Sequence, residues 1–152
     1  MSFSTCRSVT PASSISFHAN PNLRSVEIAG FCLHPSTLCD TSWLQAVITT
    51  ITSHSFEEIT LWFSGAQKNE WVERFDFQSL EQTLLQRVDP LALPIFNTRF
   101  QQTAAWKDDD NDGLVAAVER QLPELHKRGL LVVYPTGRPL SKALDGWWPY
   151  VW

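Results

Sequence analysis

Short apolar runs, the first two with apolar residues at alternate positions, occur along the chain between segments in which apolar residues recur every three or four positions. The short runs are typical of strands and the longer periodic segments of helices. Strands are predicted over 23–28, 56–63, 91–96 and 130–134. The third is the weakest of these, because Pro94 has no N–H to donate to a β-ladder.

Helices are predicted between and after the strands, over 43–51, 77–88 and 114–125. Polar side chains at 40–42 and at Asp76 can accept hydrogen bonds from the free N–H groups of a first helical turn. Gly129 is suited to end the last helix, because glycine readily takes the left-handed conformation found there. Pro123 is expected to kink that helix or to break it.

Strand and helix units repeat at a roughly constant spacing, with strand centres at Val26, Ile59, Ile95 and Val132. This repetition predicts either an open parallel α/β sheet or a βα solenoid. The layout of the first two strands is similar to that of leucine-rich repeats and favours the solenoid. We therefore expect an α/β fold in which a short, irregular βα array forms a parallel sheet with helices packed on it.

Three regions follow from this pattern. Residues 1–22 are polar and are expected to be a flexible N-terminal segment, and residues 23–139 form the single βα repeat-like domain. Residues 140–152 are a tail rich in tryptophan, with Trp147, Trp148 and Trp152. The tail is interpreted either as a cover for the open end of the array or as an exposed anchor for a partner.

Composition narrows the class of protein. The 152 residues are 43% hydrophobic, so a folded domain is expected, and the net charge of −4 argues against nucleic-acid binding. No apolar run reaches the length of a membrane span or a signal-peptide core. The three cysteines, Cys6, Cys32 and Cys39, are odd in number and sparse, which favours reduced thiols in an intracellular protein.

Residues 108–119 match the calcium-loop pattern D-x-[DN]-x-[DN]-G-x₅-E in full. Asp108, Asp110 and Asp112 would provide oxygen ligands at loop positions 1, 3 and 5, and Glu119 would bind through both carboxylate oxygens. Calcium is therefore the one cofactor that the sequence suggests.

The same acidic residues also suit the start of a helix. Asp and Asn cap free N–H groups there and complement the positive end of the helix dipole. The chain has no second calcium loop, and Pro123 interrupts the exit helix soon after Glu119. The helix-start interpretation is favoured, and no cofactor is expected under it.

Catalytic motifs are lacking. The serines have no G-x-S-x-G context, and no phosphate-binding glycine loop occurs. Cys32, His34 and Cys39 are close in sequence, but no second Cys/His pair completes a zinc site. The chain is not expected to be an enzyme.

Several segments resemble the C-terminal, leucine-rich-repeat-like region of basidiomycete fungal F-box proteins. These are Leu23–Ile28, Phe56–Leu61, Phe75–Leu80 and Leu122–Val133, and the resemblance covers about residues 20–135. That family often has an acidic stretch before its last helix. The chain has no F-box of the L-P-x-E-I-L kind, so binding to the ligase adaptor is not implied.

The resemblance implies a function in recognition. We expect a non-enzymatic protein-interaction module, similar to the substrate-recognition part of an F-box protein, with a protein partner and neither nucleic acid nor membrane. Such arrays bind through the strand face and adjacent loops, where Trp62 would be an anchor. The alternative is a calcium-binding protein that uses residues 108–119.

Overall fold

The chain has an α/β fold, taken from a computed structural model that describes residues 16–33, 41–64, 69–87, 93–101 and 111–135. The strands are β1 (Ser25–Cys32), β2 (Glu58–Ser64), β3 (Ile95–Phe100) and β4 (Leu131–Tyr134). The α-helices are α1 (Ser42–Thr49), α2 (Phe77–Arg87), α3 (Asn111–Gln121) and α4 (Pro123–Lys127). A 3₁₀-helix over Asn69–Arg74, which the sequence pattern did not predict, precedes α2.

The four strands form one parallel sheet in the order β1-β2-β3-β4. Because each strand lies beside the one before it, every crossover moves in the same direction across the sheet. Crossovers between parallel strands are almost always right-handed, so helices reached in this way lie on one side. The parallel α/β prediction is confirmed.

One sheet face packs against the helices, and we call it the covered face. Its side chains alternate along the strands, as in Ile59, Leu61 and Phe63 of β2. They share a single hydrophobic core with Leu80 of α2 and Leu114 of α3. The alternation places the remaining strand residues on the opposite face.

Phenylalanines fill the core near the carboxyl ends of the strands. The ring centroid of Phe63 lies 5.4 Å from that of Phe31, 5.0 Å from Phe75, 5.5 Å from Phe77 and 5.1 Å from Phe100. Such distances are those of favourable aromatic pairs, which stabilise a core beyond the apolar area they bury. This cluster joins three strand ends to the segment that enters α2.

Two strands differ from their predicted bounds. β1 does not end near Ile28 but continues to Cys32, because Gly30 adopts a φ of 101° where the register with β2 shifts. The strand predicted over 91–96 instead begins at Ile95, after Pro94, and runs to Phe100. Its polar residues do not alternate with apolar ones, so the pattern concealed it.

The helix ends follow the predictions in part. An Asp76 carboxylate oxygen accepts a hydrogen bond from the Ser79 N–H at 3.0 Å, which confirms the predicted cap of α2. Pro123 breaks the last helix into α3 and α4, and Gly129 follows α4 with a φ of 68°. Thr41, the N-cap residue of α1, makes no side-chain capping bond, and Asp40 lies outside the described residues.

A side chain distant in sequence caps α4. The carboxylate of Glu81 on α2 is buried and accepts hydrogen bonds from the N–H groups of Glu124 and Leu125, both at 2.9 Å. These N–H groups belong to the first turn of α4, where no partner exists within the helix. Glu81 thereby fixes the short helix against α2.

Candidate functional site

The second sheet face is the one that we call the open face. It consists of alternate residues from all four strands, among them Glu27, Glu58, Thr60, Trp62, Ile95, Asn97, Arg99, Val132 and Tyr134. The hydrophobic core of the described residues includes none of these side chains. Parallel sheets are ordinarily covered on both faces, whereas the hydrophobic core formed by the described helices lies on the other face.

An arginine lies between two aromatic rings on the open face. The Cζ atom of Arg99 lies 5.1 Å from the ring centroid of Trp62 and 4.6 Å from that of Tyr134. The register explains this contact, because Trp62 of β2 pairs with Arg99 of β3, and Arg99 pairs with Tyr134 of β4. Cations at such distances from aromatic rings are attracted by the ring quadrupole. We call these three residues the arginine stack.

The indole of the stack is anchored by β1. The Trp62 Nε1–H donates a hydrogen bond to the carboxylate of Glu27. Glu27 is opposite Thr60 in the sheet, two residues before Trp62, so the indole leans back along the strand to reach it. This bond restricts the rotation of the ring on which Arg99 rests.

A polar network lies beside the stack. The Asn97 side-chain amide donates to Glu58 at 2.5 Å and to the Thr60 hydroxyl at 3.3 Å. The Thr60 hydroxyl also donates to Glu58 at 3.2 Å. Asn97 is only 4% exposed, so these bonds satisfy groups that burial has removed from water.

Arg99 has no comparable partner. Its Nε is buried without a hydrogen-bond acceptor, and no carboxylate pairs with it among the described residues. Arg24, in contrast, binds both carboxylate oxygens of Glu57, at 2.7 and 2.9 Å. Those hydrogen bonds and the charge of Glu57 raise the pKa of Arg24 above its ordinary value. Among the described residues, the contacts that hold the Arg99 guanidinium are therefore those with the two rings.

The residues of the predicted calcium site are only partly described. Asp108 and Asp110 lie outside the described residues, whereas Asp112 lies in the first turn of α3. Glu119, two turns further along α3, has a carboxylate oxygen 3.4 Å from the His126 Nδ1. Within the described ranges no three His, Cys, Asp or Glu side chains are grouped so that they could hold a metal ion. Calcium binding stays a prediction.

The tryptophans have different positions. Trp43 is half-buried against the core and stacks on Phe31 with ring centroids 5.7 Å apart, whereas Trp62 is part of the open face. The tail residues Trp147, Trp148 and Trp152 lie outside the described residues, so both interpretations of the tail stay predictions. Sequence reasoning singled out Trp62 but not Arg99 or Tyr134, because their contact depends on the placement of β3.

A shallow cavity of about 460 Å³ lies at the amino ends of β2 and β3. Its lining is formed by His54, Ser55, Phe56, Glu57, Leu93 and Ile95. The carboxylate of Glu57 is already engaged by Arg24, so this lining presents only one other titratable side chain, His54. We therefore place the candidate site at the arginine stack.

The fold and this site define an α/β protein with a sequentially ordered parallel sheet that the described helices cover on one face. Comparisons with protein-family models, with curated proteins and with solved structures found no match to the chain. Within the described ranges, no helix has the length and apolar character needed to cross a membrane.

Proposed function

We propose that this chain is an intracellular, non-enzymatic protein-interaction module whose protein partner packs against the open face. The proposal includes a likeness to the substrate-recognition part of an F-box protein, in which a leucine-rich-repeat-like array presents its strand face. The sequential order of the parallel strands is compatible with such an array.

The observation that carries the proposal is the arginine stack. Trp, Arg and Tyr are the residue types most enriched among the side chains that dominate binding energy at protein interfaces. Here one of each lies side by side across three strands, on a surface that the described core leaves uncovered.

The surroundings of the stack also suit an interface. The rim of an interface is normally polar and accessible to solvent. Glu58, half-buried and held by hydrogen bonds from the buried Thr60 and Asn97, supplies polar surface of this kind. The net charge of −4 favours a protein partner over a nucleic acid.

Site-specific photo-crosslinking tests the proposal. A chain carrying p-benzoylphenylalanine in place of Tyr134 is irradiated in cells, beside a matched chain that carries it in place of the exposed Gln82 on α2. We expect a discrete crosslinked species from position 134 only, and we expect it to disappear when Trp62→Ala is added. Equal crosslinking at both positions, or none at position 134, would contradict the proposal.

The F-box likeness has a separate test. The transcript upstream of the codon for Met1 is sequenced, and an in-frame F-box would support membership in that family. A transcript without an upstream F-box or further repeats would remove this part of the proposal. The crosslinking result at the open face does not depend on it.

A further inference from the structure

Arg99 has an uncommon combination of contacts. Rings lie against its guanidinium, at 5.1 Å and 4.6 Å from Cζ, yet its buried Nε has no acceptor. A guanidinium has five N–H donors in one plane, and buried or half-buried donors in native proteins are nearly always satisfied. Within the described residues the guanidinium has no hydrogen bond or ion pair. Because Arg99 is half-buried, its terminal N–H groups, rather than the buried Nε, are the donors that a group from outside the described residues would reach.

We propose that Arg99, held between Trp62 and Tyr134, is the receptor for a carboxylate on an acidic segment of the protein partner. This inference rests on the proposed function and adds the chemistry of the partner. Rings that contact the faces of a guanidinium leave its N–H groups to bond in its own plane. A carboxylate matches that planar arrangement with two parallel hydrogen bonds.

The carboxylates of the open face do not fill this role, because within the described residues each accepts hydrogen bonds from other donors and none is paired with Arg99. Glu27 accepts from the Trp62 indole. Glu58 accepts from Asn97 and Thr60. Arg99 is the one cation that the described strands place on this face, and it is the one charged group there without a polar partner.

Charge distinguishes a carboxylate from a phosphate. The described open face carries one cation, Arg99, and two carboxylates, Glu27 and Glu58, so its net charge is −1. A phosphorylated side chain brings nearly two negative charges and ordinarily needs several cations or free backbone N–H groups. A singly charged carboxylate is repelled less by Glu27 and Glu58, so we commit to an acidic, unphosphorylated segment.

Apolar surface flanks the receptor. Tyr134 is 40% exposed at the level of Arg99, and Ile95 is 45% exposed four residues earlier on β3. An extended segment along β3 would place apolar side chains on both, since four residues of strand span about 13 Å. The partner segment is thus expected to carry Asp or Glu next to apolar residues.

Selection from a library of random peptides displayed on phage, with the full chain immobilised, tests this chemistry. We expect the selected peptides to share an Asp or Glu beside apolar residues. Binding of the best peptide should weaken about tenfold or more on Arg99→Gln, and equally on replacement of its acidic residue by the amide. The two changes combined should weaken it no further than either alone.

Controls separate this inference from the proposed function. Arg128→Gln removes the same charge at an exposed position beyond α4 and should leave peptide binding unchanged. Peptides that bind through Trp62 and Tyr134 but ignore Arg99→Gln would overturn the carboxylate inference and leave the proposed function standing. Tighter binding after phosphoserine replaces the acidic residue would overturn it also. Peptides insensitive to all three stack residues would count against both.

Discussion

The two faces of the sheet are built from the same four strands but satisfy their side chains differently. On the covered face, Phe63 contacts four other phenylalanine rings and is only 1% exposed. On the open face, its neighbour Trp62 contacts one arginine and one carboxylate. The rings of the covered face pack against one another, and its one described unpartnered polar atom is the neutral Thr98 hydroxyl, whereas the open face contains a cation that lacks an acceptor. This difference separates residues that stabilise the fold from residues that we propose for binding.

The largest expected effect is the loss of a ring from the covered face. Phe63→Ala should lower the free energy of unfolding by about 3–5 kcal/mol, because it removes buried surface and leaves a cavity among packed rings. Tyr134→Ala on the open face should cost about 1 kcal/mol or less. Urea unfolding followed by circular dichroism measures both.

If Phe63→Ala fails to fold, Phe63→Leu serves instead, with an expected cost of about 1.5 kcal/mol. Equal losses in the free energy of unfolding for the Phe63 and Tyr134 variants would contradict the distinction between the two faces. Such a result would mean that the open face is packed in solution as tightly as the covered one.

The second effect concerns the polar contact that joins the helices over the covered face. Glu81→Ala should cost about 2–3 kcal/mol, because it leaves the N–H groups of Glu124 and Leu125 without a charged acceptor. Glu81→Gln keeps an acceptor oxygen and should cost less. Gln82→Ala, one position along α2, is the exposed control and should change the unfolding midpoint little. A loss at Gln82 equal to that at Glu81 would rule out the capping contact as the cause.

Much of this fold can be predicted from the local periodicity of apolar residues. Contacts between residues that are distant in sequence cannot be predicted in this way. A period-two run located β2, a continuous apolar run located β4, and Pro123 located the break between α3 and α4. β3 was misplaced because Asn97 satisfies its polar side chain through hydrogen bonds to β2, which no local pattern reveals.

The candidate site was harder to predict for the same reason. The sequence identifies Trp62 as an aromatic residue in a strand, but its contacts depend on the register that brings Arg99 and Tyr134 beside it. These residues come from three strands separated by two helical crossovers. Likewise, the sequence alone indicates that Glu81 is an ordinary surface residue of an amphipathic helix. Only the structure shows that α4 packs against it.

The third effect is small in stability and large in binding. Arg99→Met replaces an unpaired cation by an apolar side chain, so lost ring attraction and relieved desolvation should nearly cancel, within about 1 kcal/mol. Binding of the acidic peptide should nevertheless fall about tenfold or more. A loss of stability as large as that of Phe63→Ala would instead make Arg99 a structural residue of the open face.

The smallest expected effect is that of added calcium. Calcium binding by residues 108–119 would place a functional site away from the open face. Asp112 and Glu119 both belong to α3, seven residues apart, which is about 10 Å along a helix axis. Ligands of one calcium ion lie about 2.5 Å from it, so these carboxylates cannot share an ion while α3 stays helical. Instead, the carboxylate of Asp112 lies in the first turn of α3, where it interacts favourably with the positive end of the helix dipole.

We expect no binding heat in calorimetric titration with calcium chloride, and no difference between the wild type and Glu119→Gln. Heat that disappears in Glu119→Gln would show that the described part of this segment, residues 111–119, leaves the helical conformation to bind the ion.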